Sequence, residues 1–160
     1  MQHFHSNDAV PARTKIFTRL NTFLANHPRS RLSDRDHRFL CQAEIESRRS
    51  MRRHHKVGCV MVQRNEVIGC GCNTVKTHPF QARWNKNSPC LHAEMMALLE
   101  AMRNPDFRPD RCTVYVSRYG RRGTLGCSFP CTSCWAALDH VGIRRVVCYD
   151  ENDMPTKIEL

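Results

Sequence analysis

The chain has 160 residues, 41% hydrophobic and 25% charged, and a formal net charge of +10. That length gives one domain able to bury a core without disulfides, and the composition is that of a soluble globular protein. No run approaches ~18 apolar residues, which excludes a membrane-spanning helix, and the opening "MQHFHSNDAVPARTK" lacks the apolar core of a secretory signal.

These features lead us to expect a cytoplasmic protein that does not enter a membrane. Its 10 cysteines would then stay reduced, as buried thiols and metal ligands rather than disulfides. The charge is uneven. Residues 1–56 hold 12 Lys and Arg against 5 Asp and Glu, and residues 57–160 hold 13 against 10. A basic front segment suits a polyanionic or phosphorylated partner, although a solvated Arg-rich surface would have the same composition.

Residues 1–33 form a basic extension in which Ile16, Phe17, Leu20, Phe23 and Leu24 recur at helical spacing. The extension reads as a docking helix or as an Arg-rich organelle presequence. Ser33 and Asp34 open a helix expected over 34–52, with Asp34 and Asp36 in its first turn and arginines 48, 49, 52 and 53 at its end. "KVGCVMVQ" (56–63) and "EVIGCGC" (66–72) are strands of a hairpin turned by Arg64-Asn65. Residues 73–90 read as loop, "LHAEMMALLEAMR" (91–103) as the clearest helix, and "RCTVYVS" (111–117) as a strand. A Gly- and Arg-rich loop covers 118–130, followed by a helix over 131–142 ended by Gly142 and a strand over 143–149. Residues 151–160 read as a tail, so the expected domain is 34–150. Strand–helix–strand units with short connections imply an α/β sandwich with some parallel pairing.

"SFPCTSCW" (128–135) carries a Cys-x-x-Cys pair, Cys131 and Cys134. Alone, it fits a redox pair, a structural staple or half of a metal site. At a helix start both sulfurs point to one side, and the helix dipole favours thiolate. His92 begins the preceding helix. Two thiolates and an imidazole suit zinc, and three protein ligands leave a fourth position for water, which the metal acidifies. Glu94, two residues beyond His92, stands where protons could be shuttled. A His or Glu at a helix start is by itself more often a cap or a dipole partner.

"HAE" (92–94) followed by "PCTSC" (130–134) resembles the zinc-dependent cytidine and deoxycytidylate deaminase superfamily, whose signature is His-x-Glu…Pro-Cys-x-x-Cys. "GCGCN" (69–73) resembles the family's Gly-x-Asn, and "GCV" (58–60) its Gly-Ala-Val with a cysteine in place of the alanine. The resemblance implies a three-layer α/β/α sandwich around a mixed sheet. It implies zinc held by His92, Cys131 and Cys134, Glu94 as general acid/base and Asn73 on the substrate sugar. The chemistry implied is hydrolytic deamination, with hydroxide adding to C4 of cytosine or C6 of adenine while Glu94 carries protons to the ring nitrogen and the leaving amine. It also implies a homo-oligomer.

Two loops bear on the substrate. Arg118, Arg121 and Arg122 in "RYGRRGTLGCSF" (118–129) suit a 5′-phosphate or a nucleic-acid backbone. In "TVKTHPFQARWNKNSPC" (74–90), Trp84 and Phe80 lie among basic residues, a pattern that serves base stacking or equally an interface. A free cytosine nucleotide, dCMP above all, is the expected substrate, and a polynucleotide is the alternative. Cys127, Cys90 or His140 could complete a closed, structural zinc site. His54, His55, Cys41 and Cys90 could hold a second ion. Cys41, Cys59, Cys70, Cys112 and Cys148 read as small core residues.

Overall fold

The computed structural model describes residues 32–120 and 122–159. The candidate docking helix or presequence therefore lies outside the described residues, as does Arg121. The first helix, α1 (Asp34–Arg48), starts where the sequence indicates and stops four residues short of the expected 52. Its start is a reciprocal cap. Ser33 Oγ accepts from Asp36 N at 3.2 Å, and the Asp36 carboxylate accepts from Ser33 N at 3.2 Å and from Ser33 Oγ at 2.8 Å.

β1 (Lys56–Gln63) and β2 (Glu66–Cys72) form the expected hairpin. Arg64 and Asn65 both lie in the left-handed region, at φ 52° and 69°, as a two-residue turn matching strand twist requires. Residues 73–90 are not all loop. They contain α2 (Pro79–Trp84), capped by His78, whose side chain accepts from Phe80 N, with Pro79 at the first helical position. Then follow α3 (Ala93–Ala101), β3 (Cys112–Tyr119), the short β4 (Leu125–Gly126) inside the expected loop, α4 (Thr132–Val141), β5 (Arg145–Tyr149) and β6 (Pro155–Glu159). Gly142, at φ 95°, ends α4 in the left-handed region that glycine adopts freely. β6 corrects the expectation of a tail over 151–160, because it pairs antiparallel with β5 and closes one sheet edge.

The strand order is β2-β1-β3-β5-β6, with β4 beside β3. Only β3 and β5 run parallel, so the sheet is mixed. On one face Val60, Val62, Tyr115 and Val147 pack against Phe39, Leu40 and Ala43 of α1. α2, α3 and α4 share the other face, where Phe80, Trp84, Leu91, Met95, Cys134 and Ala137 form a second cluster. This is the three-layer sandwich. The glycines of β1 and β2 set the layer spacing. A Cβ at Gly58 would overlap Ala43 O of α1, and one at Gly71 would lie 2.7 Å from Ala93 O of α3. Among the described residues no helix is long and apolar enough to cross a membrane. All 10 cysteines are free. Cys59, Cys112 and Cys148 are buried as expected, whereas Cys41 is exposed and Cys70 half-buried.

Candidate functional site

The first turns of α3 and α4 converge. His92 caps α3 and Cys131 caps α4, both with extended backbone; the His92 ring makes no bond to its own helix, whereas Cys131 Sγ lies 3.1 Å from Ser133 Oγ in the first turn of α4. The ring and the sulfur meet between the two helix starts. His92 Nδ1 lies 3.4 Å from Cys131 Sγ and 3.4 Å from Cys134 Sγ. The three donor atoms lie within 4.8 Å of one another, and among the described residues this is the one group of three such donors. The second-ion set of His54, His55, Cys41 and Cys90 forms no such group. Cys127 and Cys90 line the same cleft without joining the three donors. His140 packs on Trp84 instead, with ring centroids 5.3 Å apart.

The imidazole is held from behind. Ser88 Oγ donates to Cys90 O at 2.8 Å, so at 3.2 Å from His92 Nε2 it is left to accept the Nε2 proton. Nε2 thus carries the hydrogen, and Nδ1 is the nitrogen whose lone pair is free to bind a metal. The backbone of His92 donates to Gln81 Oε1 at 3.0 Å. Gln81 is fully buried in α2, so the helix missed in the sequence anchors the histidine.

Hydrogen bonds from Cys134, then His92 and Ser133, bring the Cys131 thiol down to about 3, although burial opposes them. Cys134, which donates to that thiolate and is buried, is pushed well up. The bond to Cys131 raises His92, against the effect of burial. Glu94 lies in the first turn of α3 and is 5% exposed. Burial, then the Cys131 thiolate, push its carboxyl up to about 7, partly offset by His92 and Cys134. A carboxyl poised there can both accept and return a proton near neutral pH. Two sulfurs and one imidazole nitrogen, with the tautomer fixed from outside, form a donor set that fits zinc, and three is the number of protein ligands that catalytic zinc sites use.

Beside these groups opens a cleft of about 220 Å³ lined by Arg52, His55, Asn73, Glu94, Arg118 and Phe129, among others. Arg118 Nε is buried without a hydrogen-bond partner. Asn73 lines the cleft, but its amide is committed: Oδ1 accepts from Val57 N at 2.9 Å and Ser50 Oγ at 2.7 Å, and Nδ2 donates to His55 O at 2.8 Å. It clamps the 49–55 connection more than it faces the space where a sugar would lie. Arg122 is exposed and does not line the cleft. Trp84 is half-buried against α4 and also stands away from it. Arg52 was expected only at a helix end and His55 only as a ligand of a second ion, yet both line the cleft, and the run "RRSMRRHHK" (48–56) was their signal. Ser88, Gln81 and Phe129 left no readable signal.

Residues 33–150 match the family model described as the cytidine and deoxycytidylate deaminase zinc-binding region. The chain is 30% identical over 135 residues to a deoxycytidylate deaminase of Schizosaccharomyces pombe, covering 74% of this chain and 38% of that protein. It is 32% identical over 127 residues to the Saccharomyces cerevisiae deoxycytidylate deaminase, covering 70% and 36%. The chain thus spans little more than a third of the length of these relatives. Among solved structures, a cytidine deaminase from Burkholderia pseudomallei superposes with a TM-score of 0.58 at 20% identity, covering 80% of this chain and 93% of that one. The dCMP deaminase of cyanophage S-TIM5 gives 0.52 at 20% identity, covering 72% and 82%. These two likenesses concern the fold, which is of the cytidine-deaminase type.

Proposed function

The chain belongs to the cytidine and deoxycytidylate deaminase zinc-binding family, and on that premise we propose that it is a hydrolytic deaminase converting dCMP and water to dUMP and ammonia. One observation carries the reading: His92, Cys131 and Cys134 meet at two helix starts, with the buried carboxyl of Glu94 beside them in one cleft. His92 Nδ1 and the two sulfurs would hold zinc, which when bound supplies a Lewis acid that makes hydroxide available near neutral pH. Glu94 takes the proton of the attacking water, hands it to N3 of the cytosine ring, and then passes a proton to the departing amino group. Ser88 keeps the imidazole oriented throughout. Phe129 gives the cleft an apolar wall against which a base can lie. Arg52 and Arg118 suit the 5′-phosphate, and the unpartnered Nε of Arg118 supports that role. The choice of dCMP is supported by the two relatives named deoxycytidylate deaminases.

A second reading, deamination of a base within a single strand, is favoured by one feature. Arg52 and His55 belong to a connection of Arg, His and Lys that continues away from the cleft. The test is deamination by the zinc-loaded protein of dCMP, CMP, deoxycytidine and a cytosine-bearing single strand, compared side by side. Conversion of dCMP far above the others, lost in Glu94→Gln with zinc retained, is the expected result. Turnover confined to the strand would replace the reading, and normal turnover in Glu94→Gln would remove Glu94 from its role.

A further inference from the structure

The short helix α2 touches both pieces of the chain that carry the metal donors. Phe80 and Trp84 pack on the cluster that contains Leu91, the residue before His92, together with Cys134 and Ala137 of α4. The Trp84 ring also meets the ring of His140 in the last turn of α4, with centroids 5.3 Å apart. We propose that α2 sets the spacing between His92 and the two cysteines, with Gln81 as the positioning residue that holds His92 where it can bind zinc.

Every polar backbone atom of Leu91 and His92 is bonded. Leu91 N donates to Lys76 O at 2.8 Å, Leu91 O accepts from Thr74 N at 3.0 Å, and His92 O accepts from Met96 N at 3.0 Å. His92 N donates to Gln81 Oε1 at 3.0 Å, and it is the one of these atoms that depends on a side chain alone. The carbonyl of Leu91 and the amide of His92 belong to one planar peptide unit and point to opposite sides of it. Bonds from Thr74 and to Gln81 therefore fix the orientation of that unit. Beyond it only the two side-chain torsions of His92 remain, and Ser88 Oγ, 3.2 Å from Nε2, restrains those. Without Gln81 the peptide unit could rock about its Thr74 bond and carry the imidazole with it.

Gln81 is itself firmly placed. His78 Nδ1 accepts from Phe80 N at 3.1 Å at the start of α2, and Asn85 N donates to Gln81 O at 2.9 Å at its end. The side chain is fully buried, beside a cluster made by Phe80, Trp84, Leu91, Met95 and Ala137. Leu or Met would fill such a place without burying a polar atom. Gln81 instead leaves Nε2 buried with no hydrogen-bond partner, which lowers stability. What the amide supplies is the acceptor for His92 N. A polar residue kept at the expense of stability, at the one backbone bond that needs it, fits positioning rather than packing. The proposal rests on the zinc-deaminase reading only for the identity of the ion.

The test compares Gln81→Met, which keeps the length and removes the acceptor, with Gln81→Glu, which keeps an oxygen facing His92 N. Val62→Ala is the control, because it loosens the core on the opposite face of the sheet. Zinc affinity is read by chelator competition on the full chain. The arrangement of the donors is read from the visible spectrum of the cobalt-loaded protein, whose bands follow coordination geometry. Gln81→Met should bind zinc about 10- to 100-fold more weakly and shift the cobalt bands, whereas Gln81→Glu should stay within ~3-fold of wild type with the bands restored. Val62→Ala should lower the melting temperature and leave both metal readouts as in wild type. Unchanged zinc affinity and bands in Gln81→Met would overturn the proposal. So would equal changes in Val62→Ala, or a Gln81→Glu as impaired as Gln81→Met. Should Gln81→Met not fold, Trp84→Leu decides in its place: it frees α2 from α4, so it should weaken zinc binding several-fold and shift the bands, and unchanged readouts would overturn the proposal. Absence of dCMP turnover in the zinc-loaded wild type would sink the deaminase reading alone, since neither metal readout depends on turnover.

Discussion

Glu94 should lower the stability of the metal-free fold above neutral pH, and Glu94→Gln should remove that effect. Burial and the neighbouring Cys131 thiolate raise its carboxyl from an ordinary value of 4.5 to about 7. A group raised in the folded state holds its proton there at a pH where the unfolded chain has released it, so folding is favoured at low pH. The contribution is complete below about 4.5 and disappears as pH rises through about 7. At about 1.4 kcal/mol per pH unit, the full effect is about 3 kcal/mol, most of which is lost between pH 5 and pH 8.5. The assay is urea denaturation of EDTA-treated wild type and Glu94→Gln at those two pH values. Comparing the two proteins cancels the titrating groups that do not interact with Glu94 and leaves Glu94 together with its coupling to His92, Cys131 and Cys134. Wild type should lose about 2–3 kcal/mol more than the variant over this range, which corresponds to several degrees in melting temperature. Zinc should shrink the difference, because a cation beside the cleft favours the ionised carboxylate. Parallel pH curves for the two metal-free proteins would refute the claim that Glu94 is strained by burial, and with it the basis for a carboxyl poised near neutrality.

Further outcomes follow from the same geometry. Ser88→Ala removes the acceptor that fixes the His92 tautomer, so zinc affinity measured by chelator competition should fall about 10- to 100-fold with the fold intact. Tyr115→Phe deprives the buried Asp36 carboxylate of its 2.8 Å partner and should cost about 1–3 kcal/mol in chemical denaturation. Burial pushes Asp36 up, but bonds from Ser33 and Tyr115 and the charge of Lys157 leave it lowered on balance. It therefore stabilises above the usual carboxyl range, that stability is lost as pH falls through its folded value, and Asp36→Asn should flatten the acid limb of the stability profile. Gly71→Ala inserts a Cβ 2.7 Å from Ala93 O and should cost about 1–3 kcal/mol by lifting α3, with a drop in turnover as His92 and Glu94 shift.

What could be read from the sequence depended on whether the signal was local. The reciprocal Ser33–Asp36 cap and the Arg64-Asn65 turn are short-range chemistry, and α1 and the hairpin start where those residues say. α2 has six residues, too few for a helical period to show, and β4 has two. β6 opens with Pro155, which reads as a strand breaker but is tolerated as the first residue of an edge strand. At the site, spacing announced His92, Glu94, Cys131 and Cys134 because each pair opens one helix. Arg52 and His55 reach the cleft from a connection more than 35 residues before His92, and only the folded sheet brings them there. Trp84 went the other way: its composition suggested stacking on a ligand, yet its ring packs against His140. Asn73 showed its position without its bonding, since its partners, Ser50 Oγ, His55 O and Val57 N, lie 16–23 residues earlier in the chain and no local pattern links them to it.

The capping positions of α3 and α4 have a consequence for local unfolding. Helix starts ordinarily fasten themselves through a cap that bonds back to the first turn; His92 makes no such bond, and the Cys131 sulfur, bonded to Ser133 of its own first turn, also reaches the His92 ring. An ion bridging them would act as one fastener for two helix ends that lie far apart in the chain. Hydrogen exchange at the amides following His92 and Cys131 should therefore slow together when metal is added, while exchange in α1, which closes with its own Ser33 cap, stays as it was. Opening of the site would be a shared fraying of two helices, with its rate set by metal occupancy.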